Sequence, residues 1–155
     1  MRRKDREITD FEQMRAILDA CDCARLGLVD EQGAYIVPMN FGWEEQDGKL
    51  ALYFHGAAEG KKLDLIRKQG SVSFEMDRKH ELVEGDIACA YSYCYQSIMG
   101  NGRIKIVEDI EQKKHGLQVI MSHYTKKQNW DFQDELVNRV AVLKLEVDNW
   151  SCKEH

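Results

Sequence analysis

The chain has 155 residues, of which 43% are hydrophobic and 32% are charged, and its formal net charge is -5. This length and composition predict one globular domain over residues 1–155. The acidic balance argues against nucleic-acid binding, which usually requires a basic face. No window approaches the roughly 18 apolar residues of a membrane span, and the basic N-terminus lacks the apolar stretch of a signal peptide. We therefore expect a cytoplasmic protein with no nucleic-acid or membrane partner.

Five cysteines are present, an odd number that indicates reduced thiols in a chain without a signal peptide. Cys21 and Cys23 form a C-x-C pair, and Cys89 and Cys94 form a wider one. Structural zinc sites usually require tighter, matched pairs. We therefore expect the thiols to behave as small hydrophobic side chains, and we predict no metal site.

The N-terminal part predicts a helix followed by a strand meander. Asp10 is a suitable N-cap for an amphipathic helix over residues 11–20. Pro38 requires a sheet edge, a bulge or a ligand-facing gap, because proline cannot donate to the ladder. Gln46-Asp47-Gly48 predicts a hairpin turn. The predicted strands cover residues 24–29, 35–43 and 49–55.

The remainder predicts two helices and three strands. A helix over residues 60–69 ends at Gly70, and a second helix follows Asp109 to about Tyr124. The charged run 77–86 is expected to form a solvated loop. Gly100 and Gly102 interrupt a strand, which indicates a bulge or a close approach to a ligand. The strands cover residues 71–76, 96–107 and 140–147.

This order of elements predicts a mainly β fold with flanking helices. Because most links between strands are short hairpins, the sheet is expected to be mainly antiparallel. Six such strands with few helices suit a small closed or split β-barrel. Helices and strands do not alternate regularly, which argues against a doubly wound parallel sheet.

Residues 53–66 combine an alternating apolar strand, a small-residue loop and the start of a helix. Glycines in that loop let backbone N–H groups approach an anion, and the helix start adds the positive end of its dipole. Lys61 and Lys62 add full charges at the same end. Cations are unfavourable in a first helical turn, so this pair indicates a bound anion such as a phosphate. The alternative is a solvated helix edge.

Eight segments spread over nearly the whole chain carry a family resemblance. They are residues 1–8 (MRRKDREI), 24–28 (ARLGL), 37–42 (VPMNFG), 53–56 (YFHG), 60–63 (GKKL), 95–98 (YQSI), 102–103 (GR) and 123–124 (HY). In this order they resemble flavin-binding split-barrel proteins related to pyridoxamine 5'-phosphate oxidase. Within that family the chain is most similar to the subgroup called 5-nitroimidazole antibiotic resistance proteins.

The resemblance implies a six-stranded antiparallel split barrel that forms a homodimer, with FMN at the subunit interface. Residues 37–41 would run past the flavin ring, with backbone amides near Met39 to Phe41 donating to its polar edge. The segment 60–62 would grip the phosphate, where the oxidases proper carry Ser-Arg-Lys. The implied cofactor-binding residues are Val37, Pro38, Met39, Asn40, Phe41, Phe54, His55, Gly56, Gly60, Lys61, Lys62, Gln96 and Ser97.

The resemblance also implies an FMN-dependent oxidoreductase, nitroreductase-like, that acts on a small nitroaromatic acceptor. His55 would be its catalytic residue, orienting the substrate or donating a proton, although it could instead hydrogen-bond the turn. Tyr91, Tyr93 and Tyr95 could wall the pocket or simply share one face of a sheet. Trp150 is followed by SCKEH rather than the oxidases' Arg-Leu pair, so pyridoxamine phosphate oxidation is not expected.

Two other functions compete with this one. The chain could bind flavin without efficient turnover, as a redox sensor or a cofactor store. It could also be a haem-binding relative, in which His55 or His123 ligates iron. No G-x-G-x-x-G fingerprint occurs, so a nicotinamide donor would have to visit the flavin transiently.

Overall fold

Antiparallel strands form most of the computed structural model, which describes residues 3–46, 48–125, 127 and 129–155. The helices are α1 (Phe11–Asp19), α2 (Lys61–Gln69), α3 (Ile110–Tyr124) and α4 (Asp134–Asn138). The strands are β1 (Glu7–Ile8), β2 (Ala24–Asp30), β3 (Gly33–Met39), β4 (Phe41–Gln46), β5 (Lys49–Ala57), β6 (Ser71–Val83), β7 (Ser92–Val107) and β8 (Val140–Glu154).

The sheet order is β3-β2-β6-β7-β8-β5-β4, and β1 pairs with β8. The two edge strands, β3 and β4, are consecutive in the chain and are joined by Asn40 alone. Because one residue links both edges, the sheet must curl toward itself, which is the predicted split-barrel architecture. The sheet has eight strands rather than six. The predicted strand 35–43 divides at Asn40, and β1 is additional.

Side-chain alternation along β5 separates two apolar clusters. Leu52 and Phe54 point into the barrel core, whereas Tyr53 lies on the opposite face in a second cluster with Val142 and Ile120. Helix α3 covers that second face. A Cβ on Gly116 would lie 2.8 Å from both Tyr53 and Val142, so glycine permits the close approach of helix and sheet.

Several local predictions are confirmed. Asp10 caps α1 by accepting a hydrogen bond from the Gln13 amide at 2.8 Å. Gly70 ends α2 with a left-handed φ of 65°. Pro38 lies on the edge strand β3, where its missing donor costs no ladder bond. The register between β7 and β8 shifts between Asn101 and Gly102, as expected for a bulge.

The predicted loop over residues 77–86 is wrong for residues 77–83. Strand β6 continues to Val83, and after an irregularity that includes Lys79 at φ 57°, Glu81–Val83 pair with Ser92–Cys94. Pairing with the neighbouring strand stabilises an extended conformation in this segment, which its charged composition did not indicate. We call residues 79–95 the β6–β7 arm.

Two further elements differ from the prediction. Strand β8 continues past residue 147 to Glu154, because it pairs with β7 from Gln96 to Val107. Helix α4 has only five residues and was not predicted. The hairpin at Gln46 and Lys49 is confirmed, although its Asp47 lies outside the described residues, as do Met1 and Arg2 of the first resembling segment. Among the described helices, none is long and apolar enough to cross a membrane.

Candidate functional site

The loop between β5 and α2, which we call the α2 corner (residues 56–62), brings Gly56 and Lys62 into contact. A Cβ on Gly56 would lie 2.7 Å from Lys62 Nζ and 3.8 Å from Met39 Cε. Gly60 has a φ of 130°, which residues other than glycine rarely adopt. It is the N-cap of α2 and makes no side-chain capping hydrogen bond. The corner therefore depends on glycines that no larger residue could replace without displacement or strain.

The first turn of α2 leaves backbone donors available. The Gly60 carbonyl accepts from Leu63 at 2.9 Å and from Asp64 at 3.3 Å. The amides of Lys61 and Lys62 precede these bonds, so they belong to the first-turn donors that have no partner within a helix. This is the arrangement that binds anions at helix starts.

The two corner lysines differ in their partners. Lys61 Nζ lies 2.6 Å from Asp30 Oδ2 and 5.0 Å from the centroid of the Tyr35 ring. The hydrogen bond from Lys61 holds the pKa of the Asp30 carboxyl below its usual value. Lys62 has no carboxylate partner within the described part of the chain. The lysine left free for an external anion is therefore Lys62, a distinction that the sequence did not indicate.

His55 lies on the outer face of β5, opposite Val142 of β8, and is exposed. It borders a groove of about 270 Å³ between α3 and the segment that contains α4. No hydrogen-bond partner for its imidazole occurs among residues 3–46, 48–125, 127 and 129–155. The groove is lined by His55, Leu117, Asp131, Phe132, Gln133, Leu136, Val137 and Val140.

The predicted flavin strand contributes less side-chain surface than the sequence indicated. Phe41 and its cross-strand partner Phe54 are fully buried in the barrel core, so the predicted contact of these two residues with a flavin is not open in this chain. The Phe41 amide already donates to Tyr124 Oη at 3.1 Å, and that hydroxyl donates to the Asp22 carbonyl at 2.7 Å. Asn40 and Pro38 are exposed, Val37 is half-buried, and Met39 lies beside the α2 corner.

Gln96 and Ser97 lie at the other end of the β7–β8 ladder. His55 is level with Val107 through Val142, whereas Gln96 pairs with Glu154. That separation corresponds to roughly 36 Å of strand. Gln96 is 9% exposed, and its Oε1 is buried without a hydrogen-bond partner among the described residues. Along the β7–β8 ladder, the two halves of the predicted site therefore lie at opposite ends.

Sequence reasoning missed a polar cluster under α3. Tyr53 donates to Glu44 Oε1 at 2.7 Å, and His115 Nε2 lies 2.8 Å from Glu44 Oε2. Burial and the Glu44 carboxylate raise the pKa of Tyr53 above its usual value. His123 Nε2 lies 2.8 Å from the Cys21 carbonyl oxygen and packs on the Phe41 ring. Both helix histidines thus have internal partners, and sequence spacing alone could not identify those partners.

The curled antiparallel sheet places the chain among split-barrel proteins. Its α2 corner is a candidate site for a phosphorylated ligand. The family model described as pyridoxamine 5'-phosphate oxidase matches residues 10–154. The chain belongs to this family, as the resemblance predicted. No curated protein matches the chain significantly.

Solved structures support the same placement. A candidate 5-nitroimidazole antibiotic resistance protein from Bacteroides thetaiotaomicron is 35% identical, with a TM-score of 0.82 over 96% of this chain and 86% of that one. The flavocytochrome Anf3 of Azotobacter vinelandii is 23% identical, with a TM-score of 0.83 over 100% and 72%. An FAD- and haem-binding protein of Mycobacterium smegmatis is 20% identical, with a TM-score of 0.78 over 96% and 73%. The latter two show the shared fold alone.

Proposed function

We propose that this chain is a cytoplasmic FMN-dependent oxidoreductase that reduces a small nitroaromatic acceptor. The observation that carries the proposal is the Lys62 amine, which lies beside Gly56 near the start of α2 and has no carboxylate partner in the described part of the chain. A cation and free amides at a helix start suit a phosphate ester. The likeness to the candidate nitroimidazole resistance protein supports the nitro acceptor.

The α2 corner suits the terminal phosphate of FMN better than the central pyrophosphate of FAD. A terminal phosphate monoester carries nearly two negative charges at neutral pH, and Lys62 with the α2 start can offset them. Asp30 pairs with Lys61 and offsets its charge, so Lys62 carries most of the cationic contribution at this corner. Gly56 matters because a side chain there would displace the Lys62 amine.

The chemistry divides between the cofactor and the chain. When bound and reduced by an external electron donor, FMN would supply a hydride, and reduction of a nitro group to a nitroso group takes up two electrons and two protons and releases water. The chain's part is to hold the phosphate at Lys62 and to orient the acceptor. His55, exposed on β5, would donate a hydrogen bond or a proton to an oxygen of the nitro group.

We further propose that the cofactor site is completed by a second copy of the chain. Ser97 and His55 lie at opposite ends of the β7–β8 ladder, and a second copy of the chain would supply the Ser97 side of the site. A symmetric dimer repeats each surface twice, and it can place residue 97 of one protomer near the α2 corner of its partner. Ser97 is the more suitable contact, since its neighbour Gln96 points into the barrel.

The proposed activity is tested by titrating the purified protein with FMN, FAD and haem. Yellow protein with bands near roughly 370 and 450 nm supports flavin, whereas a sharp band near roughly 400 nm indicates haem. The flavin is then reduced with dithionite, and its reoxidation is followed anaerobically with and without a nitroaromatic compound. Acceleration supports the enzyme. Flavin binding without acceleration by any nitro compound would favour a sensor or a cofactor store.

A complementation experiment tests the shared site. Lys62→Glu and Ser97→Trp chains, carrying different affinity tags, are co-expressed and the mixed dimer is purified through both tags. Each variant alone is expected to lose FMN binding. In the mixed dimer one of its two sites combines an intact Lys62 with an intact Ser97, so about half of the sites should recover.

Two differently tagged Lys62→Glu chains serve as the control and should recover no binding. If the mixed dimer forms but binds no FMN, the site is not shared in this way. If no mixed dimer can be isolated, the proposed dimer is wrong.

A further inference from the structure

We infer that the groove beside His55 is a binding site for a small, planar, uncharged aromatic compound, and that α4 with the loop before it sets the size limit. Only one part of the inference rests on the proposed function, namely that the compound bound in the groove is the electron acceptor. The binding site itself follows from the groove's lining, its volume and its charge, each of which can be tested without turnover.

The lining of the groove is mainly apolar. Leu117 comes from α3, Val140 from the start of β8, and Leu136 from α4. Leu136 is 55% exposed, so it forms an open wall of the groove rather than a part of the core. An apolar groove with few polar groups binds a ligand by burying its apolar faces.

The size of the groove limits its occupant. Its volume is about 270 Å³, just below the range of roughly 300 to 1,000 Å³ that is typical of ligand pockets. A single aromatic or heteroaromatic ring with small substituents matches that volume. A dinucleotide or a fused polycyclic compound does not. A planar ring also suits Phe132, which offers an aromatic surface in the same wall.

The polar residues of the lining indicate the charge of the occupant. His55, Asp131 and Gln133 border it, and the described lining contains no lysine or arginine. An anionic ligand would meet the Asp131 carboxylate without a compensating cation. An uncharged ligand can instead accept a hydrogen bond from the His55 imidazole.

The tyrosines that the sequence offered as a pocket wall lie elsewhere. Tyr91 and Tyr93 are exposed on the β6–β7 arm, beyond Gln96 and therefore at the far end of the ladder from His55. Within one chain the wall beside His55 is made by α3, α4 and β8. The residue that controls access is then Leu136, at the open side of the groove.

The test uses a matched pair of probes, 4-nitrobenzamide and 4-nitrobenzoate, which have nearly the same shape but differ in charge. Dissociation constants are measured by calorimetry on both flavin-free and FMN-loaded protein. We expect the amide to bind at least about tenfold more tightly than the carboxylate. Equal binding of the two probes would overturn the charge argument.

Leu136→Trp fills the groove, and it should weaken amide binding at least about tenfold while leaving FMN affinity unchanged. Asn138→Trp is the matched control on the same helix, since Asn138 is exposed and outside the lining. It should change neither constant by more than about twofold. Leu136→Ala removes apolar wall without filling the groove, and should weaken the amide about threefold.

The outcomes separate this inference from the proposed function. If the protein takes up no flavin but Leu136→Trp still abolishes amide binding, the groove is a binding site and the redox proposal fails. If FMN binds and turnover occurs, but Leu136→Trp and Leu136→Ala both bind the amide as the unaltered protein does, the redox proposal stands and this inference is wrong.

Discussion

The two ends of the β7–β8 ladder differ in how far their polar side chains are paired with one another. At the far end Glu154 lies 2.6 Å from Lys79 Nζ and 3.4 Å from Gln13 Nε2, and the His155 ring lies 2.6 Å from Ser92 Oγ. At the near end Lys62 and His55 have no such partners among the described residues. Polar groups that satisfy one another mainly stabilise a fold, whereas groups left without partners are available to a ligand.

The largest expected effect concerns the bulge between the two ends. A Cβ on Gly102 would overlap the Glu146 carbonyl oxygen and lie 2.9 Å from its carbon, and this backbone cannot move aside cheaply. We expect Gly102→Ala to lower the free energy of unfolding by about 3 kcal/mol, measured by urea denaturation. Gly27→Ala is the control, because its nearest contacts would be 3.6 Å and 3.7 Å away. Similar stability of the two variants would show that the bulge does not constrain the ladder.

The next effect concerns ligand affinity at the near end. We expect Lys61→Ala and Lys62→Ala together to weaken FMN binding at least tenfold, about 1.4 kcal/mol. Lys62→Ala alone should produce most of that loss, because Lys61 is paired with Asp30. Fluorescence titration of FMN measures both variants, and thermal denaturation should find their stability nearly unchanged. A larger loss from Lys61→Ala than from Lys62→Ala would contradict the assignment of Lys62 as the free cation.

The smallest expected effect concerns the contribution of Glu154, at the far end of the β7–β8 ladder, to the stability of the fold. The hydrogen bond from Lys79 holds the pKa of Glu154 below its usual value of 4.5, against the opposing effect of desolvation. Because the folded-state pKa is lowered, this contribution to stability is present above about pH 4.5 and is lost as the pH falls through the folded-state value.

We therefore expect Glu154→Gln to destabilise the protein by about 0.5 kcal/mol at pH 7 and by less at pH 3. Denaturant titrations at the two pH values measure the difference. Glu31→Gln breaks the exposed pair with Lys68 at 3.3 Å and should have no measurable effect at either pH. A loss for Glu154→Gln that is larger at pH 3 than at pH 7 would reverse the sign argued here.

The features that could be predicted from the sequence are those that depend on residues close together in the chain. The α2 corner is contiguous, so its glycines, its lysines and the helix start were all visible in residues 56–62. The caps at Asp10 and Gly70 were predictable for the same reason. Each depends on residues within a few positions of one another, where spacing determines geometry.

The rest depends on partners that are distant in the chain. Nothing near Lys61 in the sequence indicates Asp30, and nothing near Glu44 indicates His115. Residues 77–86 were expected to form a loop because their charged composition did not indicate that Glu81–Val83 pair with Ser92–Cys94. Helix α4 is too short to show a periodicity. The groove beside His55 therefore could not be foreseen, since α4 forms one of its walls.

The single-residue joint at Asn40 has a consequence for how this chain can change. Side chains alternate between faces along a strand, so one inserted residue there would turn Phe41 out of the core and drive another side chain toward α3. Gly42 now lies so close to that helix that a Cβ would come 2.6 Å from the Ile120 backbone. The spacing between the two edge strands is consequently fixed, and an insertion at this joint would disturb both the core and the contact with α3.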